Sequence, residues 1–111
     1  MSTPDTSSVS RLCDLLLREA FKQTATAISL EPEGDKYLVF ADNHGVSEQI
    51  AAPPAHVSLG LFVHLCQRAN VSAEVCTGSF GFLHDGRTRQ VDMRVLNGPK
   101  GKRAELKLDV Q

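Results

Sequence analysis

A chain of 111 residues makes one domain, and at that size it buries roughly two-thirds of the surface its unfolded form exposes, enough for a single core without staples. A formal net charge of −1 argues against a broad basic surface for nucleic acid, and no apolar run has the length needed for membrane insertion. The three cysteines, Cys13, Cys66 and Cys76, are widely spaced and form no CxxC pair; with an N-terminus that lacks the basic-then-apolar layout of a secretory signal, they read as free thiols of a cytoplasmic protein.

Residues 1–8 are small and polar and read as a flexible N-terminal tail, which leaves 9–111 as the folded domain. Val9, Leu12, Cys13, Leu16, Leu17 and Ala20 recur at spacings of three and four, which predicts an amphipathic helix with Leu16 in the core. Ser8 or Ser10 is the expected cap, and the helix fades near Gln23-Thr24. "ATAISLEP" then alternates as a half-buried strand, with Ile28 and Leu30 inward and Pro32 as its stop. Glu33-Gly34-Asp35 reads as a turn, "KYLVFAD" as the second strand, Asn43-His44-Gly45 as another turn, and Val46–Ala51 as a weaker third strand. Turns this short imply hairpins and an antiparallel sheet.

Pro53-Pro54 ends the sheet segment and opens a second helix, whose apolar face is Val57, Leu61, Phe62, Leu65, Cys66 and Ala69, with Phe62 in the core and Asn70 at the end. Three further strands follow at about Thr77–His84, Thr88–Leu96 and Arg103–Val110, joined by Asp85-Gly86 and by the turn in "NGPKGK". The fold class is therefore α+β, an antiparallel sheet of about six strands with two helices on one face, in the order α-β-β-β-α-β-β-β.

Chemistry-bearing patterns are sparse. No G-x-x-x-x-G-K-[ST] exists, and "NGPKGKR" lacks both its spacing and its hydroxyl, so the chain alone is not expected to hydrolyse ATP. His64 and Cys66 lie two apart on a helix and point about 200° away from each other. Neither they nor His44, His56 and His84 form a compact metal set, and no cofactor is expected. Cys13 and Cys66 sit on apolar helix faces as small hydrophobes, and no nucleophile–base arrangement is visible. The basic clusters are Arg87, Arg89 and Arg94 in one stretch, and Lys100, Lys102 and Arg103 in another. They read either as solvated hairpin tips that discourage edge-to-edge aggregation, which is the simpler reading, or as a docking surface for an acidic partner.

Leu15, Leu16, Ala20, Ala25, Ile28, Glu31 and Pro32 fall in register with a helix of the type "LLxxA" leading into a strand A-S-D-I-H-I-E-P. Val39 and Gly45 match a V-R-x-R-x-D-G segment; Cys76–Ser79 match a Q-D-G-R turn through Gly78 only; Asp92, Arg94, Val95, Pro99 and Gly101 match a D-x-R-V strand with a proline turn. On these residues, about Ser10 to Asp109, the chain resembles the domain that precedes the motor domain in type II secretion and type IV pilus assembly ATPases. The departures share a direction. Ala27 and Ser29 stand for the family's aspartate and histidine, Phe40 and Asp42 for two arginines with His44 at the aspartate that follows them, and Ser79 for another arginine. In the family such arginines approach nucleotide phosphates on the motor, a task suited to a guanidinium fork.

The resemblance implies a degenerate, non-catalytic protein-interaction or assembly module. Its partner would be a protein, such as a secretion or pilus ATPase or its neighbours, with Arg87, Arg89, Arg94, Lys100, Lys102 and Arg103 as candidate contacts; a homo-oligomer is left open. The alternative is a small-ligand-binding sensor or regulatory domain that uses the apolar interior.

Overall fold

The computed structural model describes residues 6–109. The chain runs α1 (Thr6–Lys22), β1 (Ala27–Glu33), β2 (Lys36–Asn43), β3 (Val46–Ala51), α2 (Ala55–Ala69), β4 (Thr77–His84), β5 (Arg87–Gly98) and β6 (Gly101–Leu108), which is the expected α+β order. Residues 1–5 of the expected tail lie outside the described residues, as does Val110. Thr6–Ser8 belong to α1, so Ser8 and Ser10 sit within the helix and neither caps it.

The sheet is antiparallel throughout, in the order β3-β2-β1-β6-β5-β4. Two three-stranded meanders meet where β1 pairs with β6, Leu30 opposite Ala104 and Ile28 opposite Leu106. The hairpin turns His44-Gly45 and Asp85-Gly86 have both residues at positive φ, 56° and 86° in the first and 55° and 76° in the second. That geometry matches the right-handed twist of the strands it joins, which is why Asp-Gly is a strong hairpin signal.

Pro32 does not stop β1. The strand continues to Glu33, because Glu33 pairs with Lys36 to close a two-residue turn and Pro32 lies opposite Tyr37. In that register residue 32 points its backbone nitrogen away from β2, and pairing with β6 has already ended at Leu30. The missing N–H therefore costs no ladder bond.

Both helices cover one face of the sheet. The strands beneath them put alternate residues inward: Ile28 and Leu30, Val39 and Ala41, Phe82, Val91 and Met93, and Ala104, Leu106 and Leu108 are all buried. The helix residues at the centre of this core are Cys13, Leu17, Leu61 and Leu65. Leu16 and Phe62, expected in the core, are partly buried and pack against its margin. Each helix is rotated so that the neighbouring leucine takes the central place, and Phe62 instead stacks on Tyr37 with ring centroids 4.8 Å apart. Periodicity identifies an apolar stripe, and the sheet underneath selects its midline.

Gly78, which only the family resemblance matches to a turn, lies in β4, the expected strand Thr77–His84, and has a packing role. A Cβ there would lie 1.9 Å from the carbonyl oxygen of Ala69, at the end of α2. Asn70 closes that helix in the left-handed region at φ 58°, and its backbone N–H reaches the carbonyls of Cys66 and Gln67. The helix terminus is thus seated directly on β4, and only glycine leaves room. Gly78→Ala is expected to lower stability by about 2–3 kcal/mol, read as a shift in denaturation midpoint at unchanged slope; an unchanged midpoint would contradict this packing.

Candidate functional site: the open face of the sheet

The helices leave the second face of the sheet without a covering element among the described residues. Side chains that alternate with the core residues project there. On the central strands they are Ser29 and Glu31, Arg103 and Glu105, and Arg94. The charged ones form a continuous chain. The Arg103 guanidinium donates from Nε to both Glu31 carboxylate oxygens at 3.0 and 3.1 Å and from Nη2 to Oε2 at 2.6 Å. Its Nη1 donates to Glu105 Oε2 at 2.8 Å, and Arg94 Nη2 donates to the other Glu105 oxygen at 2.8 Å. Glu31, Arg103, Glu105 and Arg94 thus cross from β1 over β6 to β5, with two charges of each sign. Fork-to-carboxylate geometry of this kind fixes side-chain orientation as well as supplying attraction.

The network also shifts its members. Glu105 is held below the usual carboxylate range, chiefly by the hydrogen bond from Arg94; burial opposes the shift and the Arg103 guanidinium adds to it. Arg103 is held above its ordinary value, first through its hydrogen bond to Glu31. A depressed carboxyl contributes stability that is present above its unfolded pKa and lost as pH falls through the folded one.

Two hollows flank the network. One, of about 600 Å³, is lined by Ala27, Ser29 and Asp42 together with Arg94, Glu105 and Lys107. The other, of about 280 Å³, has an apolar floor of Pro32, Leu38 and Phe40 and charged walls formed by Glu31, Lys100 and Arg103. An apolar centre ringed by polar groups is the layout of a protein-contact surface.

The six basic residues singled out from the sequence are not brought into one cluster. Arg94 and Arg103 belong to the open face. Lys100 stands at the β5–β6 turn, 3.8 Å from Glu33. Arg87 is exposed at the other end of β5, roughly 36 Å along the strand from that turn. Arg87 and Arg89 do share a face, because pairing continues to His84–Arg87. It is the helix side, and Arg89 lies over the Phe21 ring, 5.9 Å from its centroid. Lys102 is exposed, and its carbonyl accepts a hydrogen bond from the Tyr37 hydroxyl at 2.8 Å. Sequence reasoning missed Glu31 and Glu105 as arginine partners and Leu38 and Phe40 as the groove floor. The available signal was charge at every second position of β6, Arg103, Glu105 and Lys107.

The interior offers little chemistry. Between the helices, Arg68 pairs with Asp14 at 3.0 Å, donates to Cys13 Sγ at 3.3 Å and lies 5.4 Å from the Phe80 ring centroid. Burial pushes the Cys13 thiol up to about 11, so it is neutral at physiological pH and a poor nucleophile. His64, next to this group, is shifted down by burial first and by Arg68 second. Among the described residues, no three of His, Cys, Asp and Glu converge as a metal site. Among the same residues, no helix is long and apolar enough to cross a membrane. Neither a protein-family model nor a curated relative matches this sequence.

Glu105→Gln is expected to lower stability at pH 7 by roughly 0.5–1 kcal/mol, the range of a partly exposed ion pair. The deficit should shrink as pH falls below the ordinary carboxylate pKa, because wild-type Glu105 then protonates too. Denaturation midpoints measured between pH 7 and 3 check this, and a deficit independent of pH would contradict it.

Proposed function

We propose that this chain is a non-catalytic protein-interaction module related to the domain that precedes the motor in type II secretion and type IV pilus assembly ATPases. The carrying observation is where the departures from that family fall. Ala27, Ser29, Phe40, Asp42 and Ser79 all project from the open face, by their register with Lys107, Glu105 and Asp92. Residues that match the family in β1 and β5, Glu31 and Arg94, serve the ion-pair chain on that same face. Changes concentrated on one face, with His44 in the β2–β3 turn and Cys76 ahead of β4 lying outside it, on a scaffold whose alternation is intact, fit a domain that keeps its shape and acts through altered contacts.

The partner in this reading is another protein of the same machinery in the cytoplasm. It would seat an apolar side chain in the groove of Pro32, Leu38 and Phe40, with Lys100 and Arg103 at the rim. Phosphate recognition has little support. The two arginines on the face are already paired with carboxylates, and a phosphate would have to displace them. The alternative, a ligand-binding sensor, would also have to use the open face, because the void among the core residues Leu17, Leu30 and Leu61 is about 10 Å³, near the minimum for a single water.

Calorimetric titration against a purified type II secretion or type IV pilus ATPase tests this. Wild type is expected to bind, the double variant Phe40→Ser with Lys100→Glu to bind at least tenfold more weakly at unchanged circular dichroism, and MgATP alone to give no saturable heat at micromolar concentration. Equal affinity of the double variant, or saturable micromolar ATP binding, would overturn the proposal.

A further inference from the structure

The sheet has two edges, and they differ. β3 is six residues long, carries Glu48, and is interrupted by a register shift between Val39 and Phe40 of its neighbour. β4 is eight residues long, "TGSFGFLH", in unbroken register with β5 from Thr77 to His84. It holds no lysine, arginine, aspartate, glutamate or proline and has no bulge. Natural edge strands ordinarily carry one of these features to prevent pairing with another chain.

The register shows which backbone groups of β4 are free. The two-residue turn makes His84–Arg87 a hydrogen-bonded pair, so even-numbered residues of β4 bond to β5. The Val95 N–H bond to the Cys76 carbonyl, at 2.8 Å, continues the same series. The N–H and C=O groups of Thr77, Ser79, Gly81 and Leu83 therefore point outward. All four residues are exposed, Leu83 at 68%. No described residue hydrogen-bonds to their outward backbone groups.

We propose that β4 is the docking edge for a second copy of this chain, pairing antiparallel with its own counterpart about a twofold axis at Phe80. The strand is self-complementary in that register. Thr77 falls opposite Leu83 and Ser79 opposite Gly81, so every outward residue meets an outward residue, giving about eight hydrogen bonds. Phe80 faces its own copy across the axis, on the helix side, where aromatic cross-strand pairs are favourable. On the open side the exposed Leu83 covers Thr77 of the other copy, and Gly81 brings no side chain against Ser79. The strand itself carries no charge, and the Arg68 that lies over each Phe80 ring is already paired with Asp14 of its own chain, so two copies meet without net like-charge repulsion, as an isologous interface requires. The result is a continuous sheet of two chains with one shared open face. The self-pairing rests on the edge alone and is independent of the function proposed above.

Sedimentation velocity on the full chain, from micromolar to near-millimolar concentration, tests it. Wild type is expected to pass from monomer to dimer. Ser79→Pro is expected to stay monomeric across the range with wild-type circular dichroism, because the lost N–H points outward and belongs to no internal bond. Should that variant fold poorly, Ser79→Lys is expected to show the same loss of dimer. Register is read separately in a Cys76→Ser background, where Phe80→Cys is expected to cross-link under mild oxidation and Leu83→Cys is not. A wild-type monomer at all concentrations, a dimer undiminished by both substitutions at Ser79, cross-linking through Leu83→Cys instead of Phe80→Cys, or a monomer that takes up only a foreign extended peptide on β4 would overturn the proposal.

Discussion

The pairing of β1 with β6 is the constraint on which the rest of the structure depends. Each meander, β1–β2–β3 and β4–β5–β6, is built from local hairpins, and neither alone offers a face wide enough for two helices. Joining Ile28 to Leu106 and Leu30 to Ala104 makes one six-stranded sheet and brings the inward residues of both halves under Cys13, Leu17, Leu61 and Leu65. The cost is entropic, since the partners are far apart in sequence and the loop must close before the contact is rewarded. Burial of the apolar residues on the helix side offsets it, at roughly 25 cal/mol per Å² removed from water.

The same seam creates the open face. Glu31 stands on β1 and Arg103 on β6, so their fork-to-carboxylate contact exists only because the two halves are joined. Its energetic contribution is modest, because both side chains keep about 30% of their exposure, 33% and 29%. Its larger effect is geometric. It holds two arginines and two glutamates in fixed positions beside the groove of Leu38 and Phe40, so that a partner of the kind proposed would meet a preorganised surface at little cost in side-chain freedom. Stability of the domain and character of the surface therefore come from opposite faces of the same strands, which is why changes on the open face can proceed without disturbing the core.

The parts of this arrangement that rest on local chemistry were legible in the sequence. Alternation in "ATAISL" and "KYLVFAD", the Asp85-Gly86 and His44-Gly45 turns, and the Pro53-Pro54 helix start place every element within a few residues. What failed depended on non-local packing. Leu16 and Leu17 both lie on the apolar stripe of α1, and only the sheet decides that Leu17 is central. Pro32 is a strand breaker in general and harmless here, because β6 has already parted from β1. Nothing local marks Gly78 as a packing residue of its strand until the end of α2 is found resting on it. The basic residues gave a similar lesson. Composition can locate arginines, but not that Arg103 finds Glu31 across the seam, that Arg89 lies over Phe21, or that Arg87 and Lys100 stand at opposite ends of β5.

The central claim is that the open face, with its fixed charges and apolar groove, is the surface through which this domain acts. Amide chemical-shift mapping of the ¹⁵N-labelled chain, titrated in parallel with a secretion or pilus ATPase and with MgATP, tests it most directly. The expected result is a set of perturbed amides on the open-face positions of β1, β2, β5 and β6, centred on Glu31, Phe40 and Arg103, with the ATPase and none with MgATP. Perturbations confined to the outer surfaces of α1 and α2, or a saturable response to MgATP alone, would contradict it.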